Sequence, residues 1–291
     1  MDMRPAVVNR RDFLKLGAIT GASAATGVVG YTWLLEPHWE EIVERDLPIA
    51  NLPPSLAGSR LVQLSDLHVG PRVDDAYLVS ALERVAALGP DIVVFTGDFI
   101  SIRYDEPTRD KEMAQLRDVL SHLPRGRVAT LGILGNHDYG RNWAEPDVAI
   151  RVVREAERAG VQVLRNGVVT VDGLDVIGVD DLWAHQSDTT TAFAQRTSNA
   201  AIALCHNPDG MDALSWGDYR GWVLAGHTHG GQCKPPFLPP PILPVRNKRY
   251  TAGEIPLSDG RRLYINRGLG HLIRVRFNVR PEITSFRLVG G

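Results

Sequence analysis

Five short apolar runs in this chain each break into a cluster of chemically active side chains, and that recurrence limits its fold more than any other feature. Leu61-Val62-Gln63-Leu64 leads into Ser65-Asp66-Leu67-His68, and Val93-Val94-Phe95-Thr96 leads into Gly97-Asp98. Leu131-Gly132-Ile133-Leu134 runs into Gly135-Asn136-His137-Asp138, Ala201-Ile202-Ala203-Leu204 into Cys205-His206-Asn207, and Val223-Leu224-Ala225 into Gly226-His227-Thr228-His229. Short apolar runs bounded by turn formers read as strands buried on both faces. Open α/β sheets place their ligands at the carboxyl ends of such strands. The five polar endings should therefore converge on one sheet edge.

Between the first of these runs lie helical patterns over 74–88, 108–122 and 146–160, which give a β-α rhythm. Beyond Val161 the strands crowd together, at 168–171, 176–179, 201–204, 222–224, 263–265 and 283–288, with fewer helices between them. The expected class is α/β, two packed sheets flanked by helices. Prolines 37, 48, 53 and 54 break the periodicity over 36–58, which reads as a linker, and a globular domain is expected over 59–291. A chain with 44% hydrophobic and 23% charged residues can bury a large core, which excludes disorder for most of its length. A formal net charge of -2 excludes the basic footprint of a nucleic-acid binder. Two cysteines, Cys205 and Cys233, are too few for a disulfide-stapled scaffold.

Residues 1–35 stand apart. In Asn9-Arg10-Arg11-Asp12-Phe13-Leu14-Lys15 two adjacent arginines precede an apolar pair and a lysine, and the next charged residue is Glu36. This resembles a twin-arginine signal, which implies the twin-arginine export machinery as a partner and delivery to the periplasm or another extracytoplasmic space. Ala22-Ser23-Ala24 offers a cleavage site inside the apolar run, while roughly 20 such residues also suffice to span a bilayer. Removal of the segment and its retention as an anchor in the plasma membrane both stay open.

The residue types at the strand endings point to metal chemistry. Asp66 and His68 are two apart, as are His227 and His229, so on an extended backbone each pair faces one side and can approach one centre. Carboxylate, imidazole and amide oxygen together suit Zn, Mn or Fe better than Ca or Mg. His38, His122, His185 and His271 lack such company and read as ordinary surface or core residues.

Taken in order, Asp66-x-His68, Gly97-Asp98, Gly135-Asn136-His137-Asp138, the lone His206 and Gly226-His227-x-His229 resemble the calcineurin-like metallophosphoesterases over about residues 60–289. The arginine pair, "QLSDLH", "HNPD", "GHTHGGQ" and the ending "NRGLG…RPEI" are most similar to the exported or membrane-associated bacterial branch. The resemblance implies a four-layer α/β/β/α sandwich with two divalent metals at the sheet edge. It assigns Asp66, His68 and His229 to one metal, Asn136, His206 and His227 to the other, and Asp98 as the carboxylate between them. One carboxylate can hold two cations about 3.5 to 4 Å apart, and such a pair yields a hydroxide nucleophile for in-line attack on phosphorus. His137 is then free to stabilise the transition state or protonate the leaving oxygen, and Asp138 is expected to orient His137 by a hydrogen bond.

The activity implied is hydrolysis of a phosphodiester or phosphomonoester. A second reading is a pyrophosphatase acting on UDP-2,3-diacylglucosamine or a similar lipid-linked precursor, and a third is a catalytically silent scaffold. The segment after His229 begins with Gly230-Gly231-Gln232 and leads into the stretch 235–244, with six prolines around Phe237, Leu238, Ile242 and Leu243. It either folds back as a packing clasp or forms an apolar rim towards a membrane, followed by Arg246, Lys248 and Arg249 for anionic head groups.

Overall fold

A computed structural model describes residues 10–101 and 106–291; residues 1–9, and with them Asn9 of the arginine motif, lie outside the described residues. Helix α1 (Arg10–Gly30) is followed by strand β1 (Glu41–Ile49), β2 (Arg60–Leu64), α2 (Asp75–Ala87), β3 (Ile92–Thr96), α3 (Glu106–Leu120), β4 (Ala129–Ile133) and α4 (Pro146–Arg158). Then come β5 (Gln162–Val163), β6 (Gly167–Val171), β7 (Leu174–Val179), α5 (Thr189–Ala194), β8 (Ala201–Cys205) and α6 (Gly210–Ala213). The chain ends with β9 (Trp222–Ala225), β10 (Gly253–Pro256), β11 (Arg262–Ile265) and β12 (Glu282–Gly290).

The strands form two six-stranded sheets, ordered β1-β12-β2-β3-β4-β5 and β10-β11-β9-β8-β7-β6. Strands β2 to β5 run parallel, as do β7, β8, β9 and β11, so each sheet sends several carboxyl ends to one edge. Period-2 alternation divides the buried side chains between layers. In the first sheet Val62, Leu64, Val93 and Phe95 pack beneath α2, α3 and α4. Leu61, Ile92, Val94, Leu131 and Ile133 point the other way, against Val176, Ile202, Leu204, Leu224 and Tyr264 of the second sheet. The outer face of that sheet, with Ile177, Val179, Ala203 and Val223, is covered by Met211, Trp216 and Tyr219. Helices α5 and α6 are short, so the fourth layer is thin, but the order of layers is α/β/β/α. Gly178 leaves room for close packing of the layers, because a Cβ there would run into Leu164 and Ile133.

The helices have ordinary causes. Asp74 caps α2 by accepting from the amides of Ala76 and Tyr77 at 2.8 and 3.4 Å. Tyr77, Leu78, Ala81, Leu82 and Val85 then fall on one buried face at helical spacing. Pro146 opens α4 at its first turn, where its missing amide is no loss.

The segment 36–58 is not a linker. Its strand β1 pairs in parallel with β12 from Glu41↔Glu282 to Ile49↔Gly290, and Leu47 and Ile49 are buried between the sheets. Pro48 is compatible because β1 lies at the sheet edge, where an N–H need not be donated. The body of the domain reaches back to Glu36 and Pro37, both buried, where Glu36 Oε1 accepts from the Val279 amide at 2.6 Å. Helix α1 itself carries Phe13, Leu14, Ile19, Val28 and Val29 exposed. The apolar helical stretch Phe13–His38 is long and apolar enough to cross a membrane.

Candidate metal centre

All seven residues singled out as ligands lie just past strand ends at one edge of the sandwich, and all are buried. The loops carrying them are cross-linked by their backbones: Asp66 N donates to Gly97 O at 2.9 Å and His68 N to Asp98 O at 3.1 Å. Glycines in the motifs permit this closeness. A Cβ on Gly135 would collide with the Asp98 carboxylate, and one on Gly226 with Ser65 and Asp66.

The extended-backbone expectation for the two-apart pairs does not hold. Asp66, His68, Asp98, His227 and His229 have φ of 52°, 48°, 56°, 72° and 50°, the left-handed region that non-glycine residues avoid. Each such residue stores on the order of 1–3 kcal/mol, tolerable only where surrounding contacts fix it. Asp66 and His68 nevertheless share one cluster, while His227 and His229 are divided between the two. Asp66, His68 and His229 bring ligand atoms within 4.8 Å of one another, and so do Asp98, His206 and His227.

Within the first cluster, His229 Nε2 lies 3.0 Å from His68 Nε2 and 3.3 Å from Asp66 Oδ1. In the second, His206 Nε2 lies 3.3 Å from Asp98 Oδ2, 3.3 Å from His227 Nδ1 and 3.2 Å from Asn136 Oδ1. Asp98 Oδ2 is also 3.6 Å from His68 Nε2, so this carboxylate stands between the clusters. Three of the imidazoles are aimed by their other nitrogen: His68 Nδ1 contacts Ile100 O, His206 Nδ1 contacts Thr96 O and His227 Nε2 contacts Pro244 O, at 3.3, 2.7 and 2.8 Å. That is the orientation device usual for metal-binding histidines. Burial lowers His68 and His227 to about 3 and His229 well below its ordinary value, which keeps their ring lone pairs available. Burial raises Asp66 to about 6. Burial opposes charge on both Asp98 and His206, but their mutual attraction outweighs it, holding Asp98 well below the carboxylate range and lifting His206 to about 10. Imidazole nitrogens and carboxylate oxygens converge in each cluster, and a divalent cation in each fits that donor set.

Asp138 does not orient His137. Its Oδ1 accepts from the amides of Phe99 and Ile100 at 2.8 and 3.2 Å, and its Oδ2 from Asp98 and Gly135 at 3.0 and 2.9 Å. Burial and the nearby Asp98 charge push this carboxyl up, yet all four partners are N–H donors, so the ionised form is the one the loops are built around. Asp138 is a clamp on the backbone that presents Asp98. His137 donates its backbone N–H to Asp98 Oδ1 at 2.8 Å, and its ring meets that of His68 edge-on with centroids 4.9 Å apart. Among the described residues, the His137 Nδ1 has no hydrogen-bond partner.

A cavity of about 400 Å³ opens over this centre, lined by Asp98, His137, His227 and His229 on one side and Asn142, Trp143, Trp183, Pro244 and Leu272 on the other. Sequence reasoning missed Trp143 and Trp183, whose ring centroids lie 4.5 Å apart; Trp183 also meets His227 edge-on at 4.4 Å. No local motif marks them, since they arrive from separate loops. It also passed over Ser65, which donates to Asp66 Oδ2 at 2.5 Å although it lies beside a ligand in the motif.

Residues 59–231 match the calcineurin-like phosphoesterase family. The chain belongs to that family. This calcineurin-like phosphoesterase is 34% identical to the uncharacterized metallophosphoesterase YkuE of Bacillus subtilis, over 97% of this chain and 98% of the relative. It is 29% identical to the phosphodiesterase YaeI of Escherichia coli, over 97% of this chain and all of the relative. It is also 29% identical to the UDP-2,3-diacylglucosamine pyrophosphatase LpxG of Chlamydia muridarum, over 94% of this chain and 98% of the relative. Family and relatives together make it a metal-dependent phosphoester hydrolase.

Proposed function

We propose that this phosphoesterase is exported, acts on phosphodiesters, and holds one divalent cation in each cluster with Asp98 shared between them. The observation that carries this reading is the Asp98 carboxylate, whose Oδ2 lies 3.6 Å from His68 Nε2 on one side and 3.3 Å from His206 Nε2 on the other. Bound there, a pair of divalent cations supplies Lewis acidity at phosphorus and a water of lowered pKa. The chain's own residues do the rest. Asp66, His68 and His229 fix one side of the site, Asn136, His206 and His227 the other. His137 projects into the cavity as a donor to a phosphoryl or leaving oxygen. Trp143, Trp183 and Leu272 line the remainder with apolar surface.

Those apolar walls, together with the similarity to LpxG, favour a second reading: hydrolysis of the pyrophosphate in a nucleotide-sugar lipid. Convergence of all seven ligand side chains speaks against a silent scaffold. The test is metal analysis followed by hydrolysis of a chromogenic phosphodiester and of a UDP-linked diacyl sugar, before and after chelation. Chelation should abolish turnover, and added Zn, Mn or Fe should restore it. The substrate with the higher kcat/KM separates the two enzymatic readings, and a protein with neither bound metal nor turnover would be a scaffold. For export, Arg10→Lys with Arg11→Lys should leave the protein in the cytoplasm, because the arginine pair is read as an address. Unchanged export would exclude that route.

A further inference from the structure

Among the described residues, every strongly exposed large hydrophobic side chain except Val128 and Ile150 falls in one connected region. The residues are those of α1, then Trp33, Leu34, Leu35 and Trp39 at its foot, then Phe237, Leu238 and Ile242 in the proline-rich loop, and Ile273. Hydrogen bonds join these segments. Arg276 N donates to Thr32 O at 3.0 Å, and Lys234 N to Phe277 O at 2.9 Å. Gln232 Nε2 reaches Ile273 O and Val275 O at 2.7 and 2.9 Å. The proline-rich loop is only partly a clasp. Leu243 and Val245 are buried in the core of the second sheet, whereas Phe237 is fully exposed and Ile242 is 73% exposed.

The two loops of this surface carry basic charge alone, and at the helix foot Glu36 and Glu40 are buried while Glu41 is paired with Arg267. Residues 219–253 and 260–281 contain no Asp or Glu, while Lys234, Arg246, Arg249 and Arg274 stand exposed on them. At the helix foot, Arg280 lies over the Trp39 ring at 4.1 Å, an amphipathic pair of the kind found at membrane interfaces. Apolar tips beside basic loops fit an anionic lipid surface. The region is also continuous with a helix long enough to cross a membrane.

We propose that the helix foot and the loops 233–242 and 271–277 seat together in the interface of an anionic bilayer leaflet. The cavity wall formed by Pro244 and Leu272 then opens at the level of the lipid head groups. This holds whether or not the substrate is a lipid, and its test does not use hydrolysis. The full-length chain, with Cys233→Ser, is labelled through Phe237→Cys, Ile273→Cys or the control Ile150→Cys using an environment-sensitive fluorophore; Cys205 is buried. All three labelled positions are exposed, so an unchanged melting temperature checks the fold. In vesicles containing phosphatidylglycerol and nitroxide-bearing lipids, emission from 237 and 273 should shift to the blue and be quenched, while emission from 150 should not. Quenching at 237 and 273 no greater than at 150 would overturn the proposal, even with the helix inserted. Equal quenching in purely zwitterionic vesicles would overturn its electrostatic half.

Discussion

Replacing Asp138 by Asn distinguishes a backbone clamp from a partner of His137. The Asp138 carboxylate is fully buried and accepts four backbone amides, from Asp98, Phe99, Ile100 and Gly135. Asparagine keeps the shape but turns one oxygen into a donor, so two of those N–H groups face an N–H instead of an acceptor. Each unmatched buried donor costs about 1–3 kcal/mol, which gives about 2–6 kcal/mol for the pair. Out of a total stability of about 5–15 kcal/mol, the fall in melting temperature should be on the order of 5–15 °C. The loop would also stop holding Asp98 at its φ of 56°, so bound metal should drop together with stability. Thermal unfolding, metal analysis and kcat on a chromogenic diester are measured on the same preparation. A variant with wild-type melting temperature and metal content but reduced kcat would refute the clamp and point back to an effect on His137.

Asp98→Ala should remove turnover and most bound metal, whereas Asp74→Ala, which deletes the cap of α2, should cost about 1 kcal/mol of stability and leave activity alone; wild-type turnover in the Asp98 variant would sink the shared-carboxylate arrangement. His137→Ala should keep its metal and lose roughly 10²-fold or more in kcat, and loss of metal would instead make His137 a ligand. Glu155 is held below its usual value of 4.5 by hydrogen bonds from Arg117, against an opposing effect of burial, with Arg158 adding to the pull. A depressed carboxylate stabilises the fold above the unfolded value and loses that contribution as pH falls through the folded one. Wild-type melting temperature should accordingly drop faster than that of Glu155→Gln on acidification below pH 4.5, and parallel curves would show that the pair between α3 and α4 contributes nothing.

What the sequence determined is local. Runs such as Val93 to Thr96 bury on both faces wherever they sit, so their strand character and the polar residues at their ends could be read without a partner in view. The ligand types and their order were equally legible, because chemistry is written in side chains. What the tertiary structure decided depends on groups distant in the chain. Strand β1 exists because β12 offers it an edge, and Pro48 conceals that only from a reading of periodicity. His227 and His229 divide between the clusters while Asp66 and His68 share one, although all four have left-handed backbone, so the surrounding loops rather than the two-residue spacing decide the outcome. Asp138 looked like a partner for the histidine beside it, but four amides from two loops claimed its oxygens first, since buried N–H groups without an acceptor are costly. Trp143 and Trp183 meet over the centre only when α4 and the second sheet bring their loops together, and no pattern of neighbours in the chain encodes a contact of that kind.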